Sequence, residues 1–476
     1  MNSSSVLPEY PALKRHILPV PVGASDIYLL SEDRAWMWQN EAVHRIAPLL
    51  DGSRSLGDLI VQTSEHLAPT DLVHALCELE TRGLLRDGFL PDLDSRDGAL
   101  ADALGIGAPL DGARTPVCVT EIGRGATASL VTQALESAGI PVNSLGQGLR
   151  IVATDHYYRP ELGQFNREGL ASGEPWLLCK LVGQTLWLGP LFHPGRTGCF
   201  VCLQERLRLN RQVEDYAVRR SGNAELYETS GAALPATVRL GAAWLVQEIL
   251  LWQAGLSDRL EGRLLTVHLG LDGPKTAWHV LSRRPQCAAC GDPAQACRTG
   301  PIELRRHSVN GSSDGGFRIE APQATLERLK RHISPITGVV TWLVELSQEP
   351  GGLIQSYSAG HNFAMGPGTP YWLMQSMRAR TGGKGITSTQ ASVSAVCEAV
   401  ERYCGVFRGD EPCLQATYRS LAEKAVHPRQ FLGFSERQYE RREEINRSSR
   451  EGPFHLIPRQ FPEDVPIDWV PLWSLT

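Results

Sequence analysis

The chain has no segment suited to a membrane or to export. Met1-Asn2-Ser3-Ser4-Ser5 is not a charged region followed by an apolar run, and no stretch approaches the roughly 18 apolar residues of a membrane span. A cytoplasmic protein without membrane attachment is expected. An excess of positive charge is missing too, since Lys and Arg number 47 against 52 Asp and Glu, a net charge of -5. That balance offers no basic field to a nucleic acid or an anionic lipid surface. A disulfide framework is equally absent, because eleven cysteines, an odd number, are spread over 476 residues without a secretion signal. Thiols and metal ligands are expected instead. What the length does allow is about three domains of ordinary size.

The chemistry concentrates in Thr381-Gly382-Gly383-Lys384-Gly385-Ile386-Thr387 and the helical run from Gln390 to Tyr403. Gln390, Ser394, Glu398 and Glu401 are spaced to form one polar stripe on a helix. Val393, Ala395, Val396, Cys397 and Val400 cover the rest, so the helix is expected to be largely buried, with Glu398 and Glu401 one turn apart on an inward face. Two such carboxylates suit a magnesium ion that keeps its other positions for phosphate and water. The glycines around Lys384 are expected to let backbone approach an anion, with the lysine adding a mobile positive charge. The stretch reads as a metal-phosphate site.

The arrangement Gly-Lys-Gly, Thr387, Gln390, Ser394-x-x-x-Glu398-x-x-Glu401-Arg402-Tyr403 resembles the opening nucleotide-binding segment of the YcaO family. The resemblance extends upstream through Ile333-Ser334-Pro335-Ile336-Thr337-Gly338-Val339-Val340, which looks like the family's first strand, and covers about 322–476. It implies an ATP-binding fold that activates a peptide amide oxygen by phosphorylation, with ATP and magnesium as cofactors. By the same resemblance Glu398 and Glu401 contact metal and nucleotide, Ser394 and Lys384 lie near phosphate, and Gln390 is a further contact. No residue is singled out as catalytic.

Residues 1–90 combine short strand-like runs at His16–Val22, Asp26–Leu30 and Ala35–Trp38 with three helical patterns. Asn40 is placed to cap the first, which carries Val43, Ile46, Ala47 and Leu50; Leu56, Leu59 and Ile60 mark the second. The third runs from Pro69 through Leu72, Val73, Leu76 and Leu79 to Arg82-Gly83, and Leu84 and Leu85 open a closing strand. This is the layout of a small winged-helix module. Asp71, Glu78 and Glu80 on its third helix would repel phosphates, so nucleic acid is not the expected ligand. The layout resembles the PqqD-like recognition element, which implies binding of the leader segment of a ribosomally made precursor peptide as a strand added at the sheet edge beside the third helix. Ile27, Leu29, Leu72 and Leu76 lie near such a groove or, more simply, in the core.

A linker rich in Asp, Gly, Ala and Pro is expected at 91–115. Across 116–300, Val117-Cys118-Val119, Gly123-Arg124-Gly125 and the helical pattern of Leu130, Val131, Ala134 and Leu135 give strand, glycine turn and helix in dinucleotide-fold order. Where an acidic residue should hold ribose the chain has Asn143 and Ser144, so the turn reads as structural. Cys199-x-x-Cys202 and Cys287-x-x-Cys290 supply four thiolates, the set that zinc takes in closed structural sites. Their wide separation requires the helix from about Ala232 to Trp252 to return the chain, and Cys297 lies off the pattern. His193-Pro194-Gly195-x-x-Gly198-Cys199-x-x-Cys202 resembles the phrase that introduces the zinc knuckle of the ThiF-like family, relatives of ubiquitin-activating enzymes. The resemblance implies an α/β domain with a structural zinc. The missing ribose acid fits the version associated with YcaO proteins, which delivers substrate and does not bind nucleotide.

A second linker at 301–321 leads into 322–476, read as the N-terminal part of an α+β YcaO domain. The chain stops at an apolar run, Asp468 to Thr476, that looks like a strand in mid-sheet, and the further acidic ligands and proline-rich carboxyl end of YcaO domains are not in it. A fragment or a shortened, inactive product is expected. The fold class is thus multidomain α/β: winged-helix module, ThiF-like domain with a structural zinc, incomplete YcaO domain. That order is found in fused cyclodehydratases of thiazole/oxazole-modified peptide (bacteriocin-type) biosynthesis, which convert Cys, Ser or Thr of a precursor peptide to azolines with ATP. Two alternatives stand beside it: a leader-binding scaffold that presents substrate to a separate YcaO subunit, and adenylation of a carboxyl terminus by the middle domain. A homodimer and a partner dehydrogenase are further associations that the resemblance implies.

Overall fold

The computed structural model describes residues 7–23, 25–88, 95–104, 115–125, 127–143, 148–222, 232–255, 257–292, 304–309, 317–346, 353–362, 370, 373–374, 379–407, 411–448 and 456–472. They fall into two units, Met1–Phe200 with Ala217–Leu281 and Val201–Tyr216 with Ser282–Thr476. Residues 201–216 and 282–292, which the sequence reading groups with 116–300, therefore belong to the second unit.

The first unit begins with β1 (Pro11–Leu13), β2 (Leu18–Val22), β3 (Asp26–Leu30) and β4 (Ala35–Gln39). The last three form a meander in which β2, carrying Pro19 and Pro21, is one edge and β4 the other. Asn40 accepts the amides of Ala42 and Val43 and so fixes the start of α1 (Glu41–Ile46). Ser55 and Asp58 cap α2 (Leu56–Thr63) reciprocally. Pro69 opens α3 (Pro69–Thr81), where its missing N–H is no loss. β5 (Leu85–Asp87) closes the module by pairing with β1. Ile27, Leu29, Leu72 and Leu76 are fully buried and are core residues; truncating a buried leucine of this kind costs about 2–5 kcal/mol. The interval 91–115 is not all linker. It contains α4 (Ser95–Ala103), whose Asp102 accepts the Arg15 amide at 2.7 Å and lies 3.5 Å from the Arg86 guanidinium. A buried acid so engaged ties the segment to the module.

Next come β6 (Val117–Ile122), α5 (Ala128–Ser137), β7 (Leu149–Thr154), α6 (Leu162–Ser172), β8 (Trp176–Lys180) and β9 (Thr185–Phe192). α7 (Phe200–Asn210) and α8 (Gln212–Ser221) follow, then α9 (Pro235–Gln253) and the hairpin β10 (Arg263–Gly270) with β11 (Gly273–Val280). Six strands form one sheet in the order β11-β10-β9-β8-β7-β6, parallel from β6 to β8 and antiparallel beyond. Val131 and Leu135 of α5 and Ala242, Leu245 and Ile249 of α9 pack with Ile151, Leu177 and Leu188 of the sheet in one core. Outside β6 the position of a further strand is reduced to a single bridge, Val117 to Val142. The strand that would carry a ribose-binding acid is therefore not built among the described residues, and Ser144 lies outside them.

The second unit contains α10 (Pro322–Lys330), the antiparallel sheet β12 (Trp342–Glu345), β13 (Gln355–Gly360) and β14 (Arg380–Gly385), and α11 (Ser388–Cys404). Val340, Ala359, Ala395, Val396 and Ala399 form its small core. Ile333–Val340 is not a strand, contrary to the sequence expectation. Ser334 Oγ accepts the amides of Ile336 and Thr337, and the Gly338 amide donates to the Ser334 carbonyl, which curls the segment into a loop with one bridge from Ile333 to Val340. A serine side chain competing for nearby amides has that effect. β15 (Leu414–Ala416) and β16 (Ile467–Trp469) pair with each other, so Asp468 and Trp469 lie in a two-stranded ribbon and not in mid-sheet. Residues 310–316 of the expected second linker and 473–476 lie outside the described residues.

Candidate metal centre and nucleotide-facing helix

Two turns shape the cysteine site. Thr197 Oγ1 accepts the His193 amide at 2.9 Å, and the amides of Arg196 and Thr197 donate to the His193 carbonyl, delivering Cys199 to the start of α7 and Cys202 to its first turn. At the second knuckle the Cys287 amide donates to Arg284 and the Gly291 amide to Cys287. A Cβ at Gly291 would fall 2.3 Å from the Pro285 carbonyl, so glycine is required for this close approach. The four sulfurs of Cys199, Cys202, Cys287 and Cys290 all lie within 4.8 Å of one another, and Cys202 and Cys290 are 3.5 Å apart. A tetrahedral thiolate set around a metal at about 2.3 Å needs sulfurs about 3.8 Å apart, so the geometry fits. The Arg284 amide points at Cys202 Sγ at 3.5 Å, and the Arg283 guanidinium donates to the Cys290 carbonyl. Four cysteines fill four positions, which makes the cluster a closed one. The return from the first knuckle to the second uses the β10–β11 hairpin as well as α9, and Cys297 lies outside the described residues.

The stripe on α11 is a stripe, but it faces outward. Ala391, Ala395 and Ala399, one turn apart, form the seam laid on the sheet, while Ser394 and Glu401 are exposed and Glu398 is half-buried. Small residues let helix backbone come close to the strand; larger Val393 and Val396 fill the flanks. Glu398 accepts two bonds from Arg402, at 2.8 and 3.1 Å. An exposed i,i+4 pair is worth only about 0.3–0.5 kcal/mol, so it yields readily to a divalent cation. Thr387 Oγ1 caps the Gln390 amide, and Gln390 Oε1 accepts the Ile386 amide at 3.0 Å. That oxygen of Gln390 holds the helix start.

Two of the three glycines are required by packing. Thr381 to Gly385 is β14 and not a loop, and Cβ atoms at Gly383 and Gly385 would strike α11, whereas one at Gly382 would meet nothing within 4 Å. Thr381, its Oγ1 donating to Ala395 and Ala359, faces the helix with Gly383. By strand alternation Lys384, exposed, projects from the opposite face. The structure thus brings Ser394, Glu398 and Glu401 together and leaves Lys384 apart from them.

The turn at 123–125 is closed by the protein's own acids. Glu121 accepts the Thr127 amide at 3.1 Å and the Ala128 amide at 2.5 Å, and Asp155 accepts the Arg124 amide at 2.8 Å. A Cβ at Gly123, whose φ is +95°, would lie 2.2 Å from the Asp155 carboxylate. Burial pushes Asp155 up, but the Arg159 guanidinium and the Arg124 amide hold it below the usual carboxylate range. Two carboxylates take the amides that a phosphate would need at a helix N-terminus.

One residue escaped the sequence reading. Arg318, the basic residue between exposed Phe317 and Ile319, has a buried Nε without a hydrogen-bond partner among the described residues. Burial pushes up the Cys397 thiol of α11, and Arg318 and Arg328 pull against it, so both charges act on the turn that separates Ser394 from Glu401. An arginine inside a short apolar run was the available signal.

Residues 382–476 match the family model described as YcaO cyclodehydratase, ATP- and Mg2+-binding. A search of the curated proteins found no match. Among solved structures, one described as a heterocyclase in complex with substrate and cofactor is 33% identical with a TM-score of 0.80, covering 98% of this chain and 63% of that one. The structure of the heterocyclase TruD is 31% identical with a TM-score of 0.71, covering 98% and 62%. The chain therefore spans a little under two thirds of the length of both. Over the described residues, it is a multidomain α/β protein with a YcaO-like C-terminal region, similar in fold to both heterocyclases, and with four cysteines placed so that they could hold a metal ion.

Proposed function

We propose that the chain carries out ATP-dependent cyclodehydration of Cys, Ser or Thr in a ribosomal precursor peptide, giving azolines. The observation that supports this most is 33% identity, over nearly all of its own length, to a heterocyclase solved with substrate and cofactor. In this reading 1–90 is a winged-helix leader-binding element, 116–300 a ThiF-like domain whose four cysteines hold zinc, and 322–476 the N-terminal part of a YcaO domain. The leader is read at β4, which pairs only with β3 among the described residues. Met37 is 60% exposed there, and Trp38 donates to Glu78 of α3 at 3.0 Å under the Arg82 guanidinium. Main-chain bonds to such an edge give affinity, and the flanking side chains give choice.

Ser394, Glu398 and Glu401 are the proposed metal-nucleotide contacts, with Arg318 beside them for phosphate. Two carboxylates are as many as magnesium ordinarily takes from protein when phosphates fill the rest. The cyclising side chain attacks the preceding amide carbonyl, and the nucleotide supplies the phosphoryl group that makes the resulting oxygen a leaving group. Glu398 and Glu401 act by anchoring the cation that offsets the developing negative charge. Gln390 is a lesser contact, through its amide nitrogen. Lys384, exposed on β14, stays a proposed phosphate contact, with its projection from the face opposite α11 weighing against it. A second copy of the chain and a dehydrogenase acting on the azoline are the partners this reading implies.

The outward stripe, with only two carboxylates, supports a second reading, a leader-binding scaffold that presents substrate to another YcaO subunit. One experiment separates them. The chain is incubated with ATP, magnesium and the precursor peptide encoded beside it, and peptide mass and phosphate are followed together. The first reading expects loss of one water per modified residue with matching phosphate, abolished in Glu398→Gln and Glu401→Gln. Peptide binding with neither change supports the scaffold. Pyrophosphate release would instead point to adenylation, against which the acids at the 123–125 turn already weigh.

A further inference from the structure

Within the second unit, one helix is fastened at both ends. Cys202, in the first turn of α7, belongs to the four-cysteine cluster. Asn210, the last residue of α7, donates through Nδ2 to the carbonyls of Ile336 and Gly338 at 2.9 and 3.0 Å, and Gln212 just beyond it donates through Nε2 to the Asn362 carbonyl. A helix held in this way is a firm support for what projects from its middle. What projects there is a charge. Arg206, one turn after Cys202, is only 5% exposed, and its guanidinium carbon lies 5.0 Å from the centre of the Tyr403 ring of α11. The same charge is felt at His332, whose pKa is held down by burial and by Arg331 and Arg206.

The end of α11 needs such support. Gly405, which follows the helix, has a φ of -83° and does not adopt the left-handed conformation that commonly locks a C-terminus. Glu398 and Glu401 lie in the last two turns, where the helix dipole presents its negative end and acids are unfavourable. Helix ends of this kind fray. Tyr403 continues the face of Val396 and Ala399 by one turn, so what holds its ring holds the last turn in register with the buried seam. A buried arginine over the ring supplies attraction to the aromatic face and a positive charge near the carboxyl end of the helix.

We infer that Arg206 is a positioning residue: by stacking on Tyr403 from a helix fixed to the cysteine cluster, it sets where Glu398 and Glu401 stand. The inference rests on the reading of α11 as the magnesium-nucleotide face and adds to it a group that acts through the helix. Placement of the two carboxylates matters because magnesium demands near-ideal octahedral geometry.

The test compares the whole chain with Arg206→Met, Tyr403→Leu, their double variant, Tyr403→Phe and Arg208→Met, the last removing an exposed arginine of α7 that pairs with Glu205 at 2.9 Å. Amide hydrogen exchange is followed by mass spectrometry without nucleotide, and magnesium-ATP binding by calorimetry. Arg206→Met and Tyr403→Leu are expected to speed exchange across 398–404 about tenfold and to weaken magnesium-ATP by a similar factor, the double variant adding little to either. Exchange in the six-stranded sheet of the first unit should not change. Tyr403→Phe keeps the ring and should stay close to the unsubstituted chain, as should Arg208→Met. Unaltered exchange at 398–404, an effect of Tyr403→Phe equal to that of Tyr403→Leu, additive losses in the double variant, or faster exchange with unchanged affinity would each overturn the inference. Tyr403→Leu removes the stack from its other side, so the inference stays refutable if Arg206→Met fails to fold. If the unsubstituted chain binds no magnesium-ATP, the nucleotide reading falls, and exchange at 398–404 alone decides whether Arg206 holds the helix.

Discussion

Thr266 Oγ1 and His279 Nε2 lie 2.9 Å apart on neighbouring strands β10 and β11, and His279 is only 5% exposed. Burial pushes its pKa down from 6.5 to about 4. The folded chain holds this imidazole neutral, whereas the unfolded chain takes a proton near pH 6.5. Its contribution is therefore complete above pH 6.5 and is lost as the pH falls toward 4, about 3 kcal/mol in all. His279→Gln is expected to flatten the fall in urea midpoint across that window. Nothing in the sequence marks this histidine, because its burial is set by neighbours across the sheet. The four zinc-type cysteines were legible, because C-x-x-C pairs with turn residues carry their geometry locally. Arg318 was not: its buried Nε depends on neighbours distant in sequence.

At the scale of elements, caps and periods were the most readable features. Asn40 does cap α1, as its place in the sequence suggests. Period, however, gives faces and not directions. The spacing of Gln390, Ser394, Glu398 and Glu401 made a stripe certain on any helix, but the alanine seam Ala391, Ala395, Ala399 decides which side meets the sheet. The same contact explains the glycines of β14. A methyl group at 383 would lie 2.0 Å from the Ala391 carbonyl oxygen and 2.3 Å from the Ala395 amide. These are backbone atoms, so relief means lifting α11 off the strand. Gly383→Ala is expected to cost at least about 1–3 kcal/mol, seen as a lower thermal midpoint, while Gly382→Ala should show no such loss. A glycine's neighbours across a fold are invisible in sequence, so the packing demand at Gly383 and Gly385 appears only in the structure.

For the whole molecule, the two units carry different kinds of support. The first has the two larger cores, of the 1–90 module and of the six-stranded sheet, while the second builds around a small alanine-rich cluster and holds three of the four cysteines. Metal removal is expected to act chiefly on the second. Chelation, or Cys287→Ser, should release about one metal ion per chain and lower the thermal transition of that unit by several degrees, read by elemental analysis and circular dichroism. No helix of the described residues is long and apolar enough to cross a membrane.

The two prolines of β2 have a consequence for crowding. A stack of copies growing through the meander would need two usable edges on each copy, one to give and one to receive. Pro19 and Pro21 have no N–H to offer, and they lie on one of those edges. Only β4 is left, so growth through this sheet ends at a pair, and a strand already lying on β4 prevents even that. In concentrated solution the module is self-limiting.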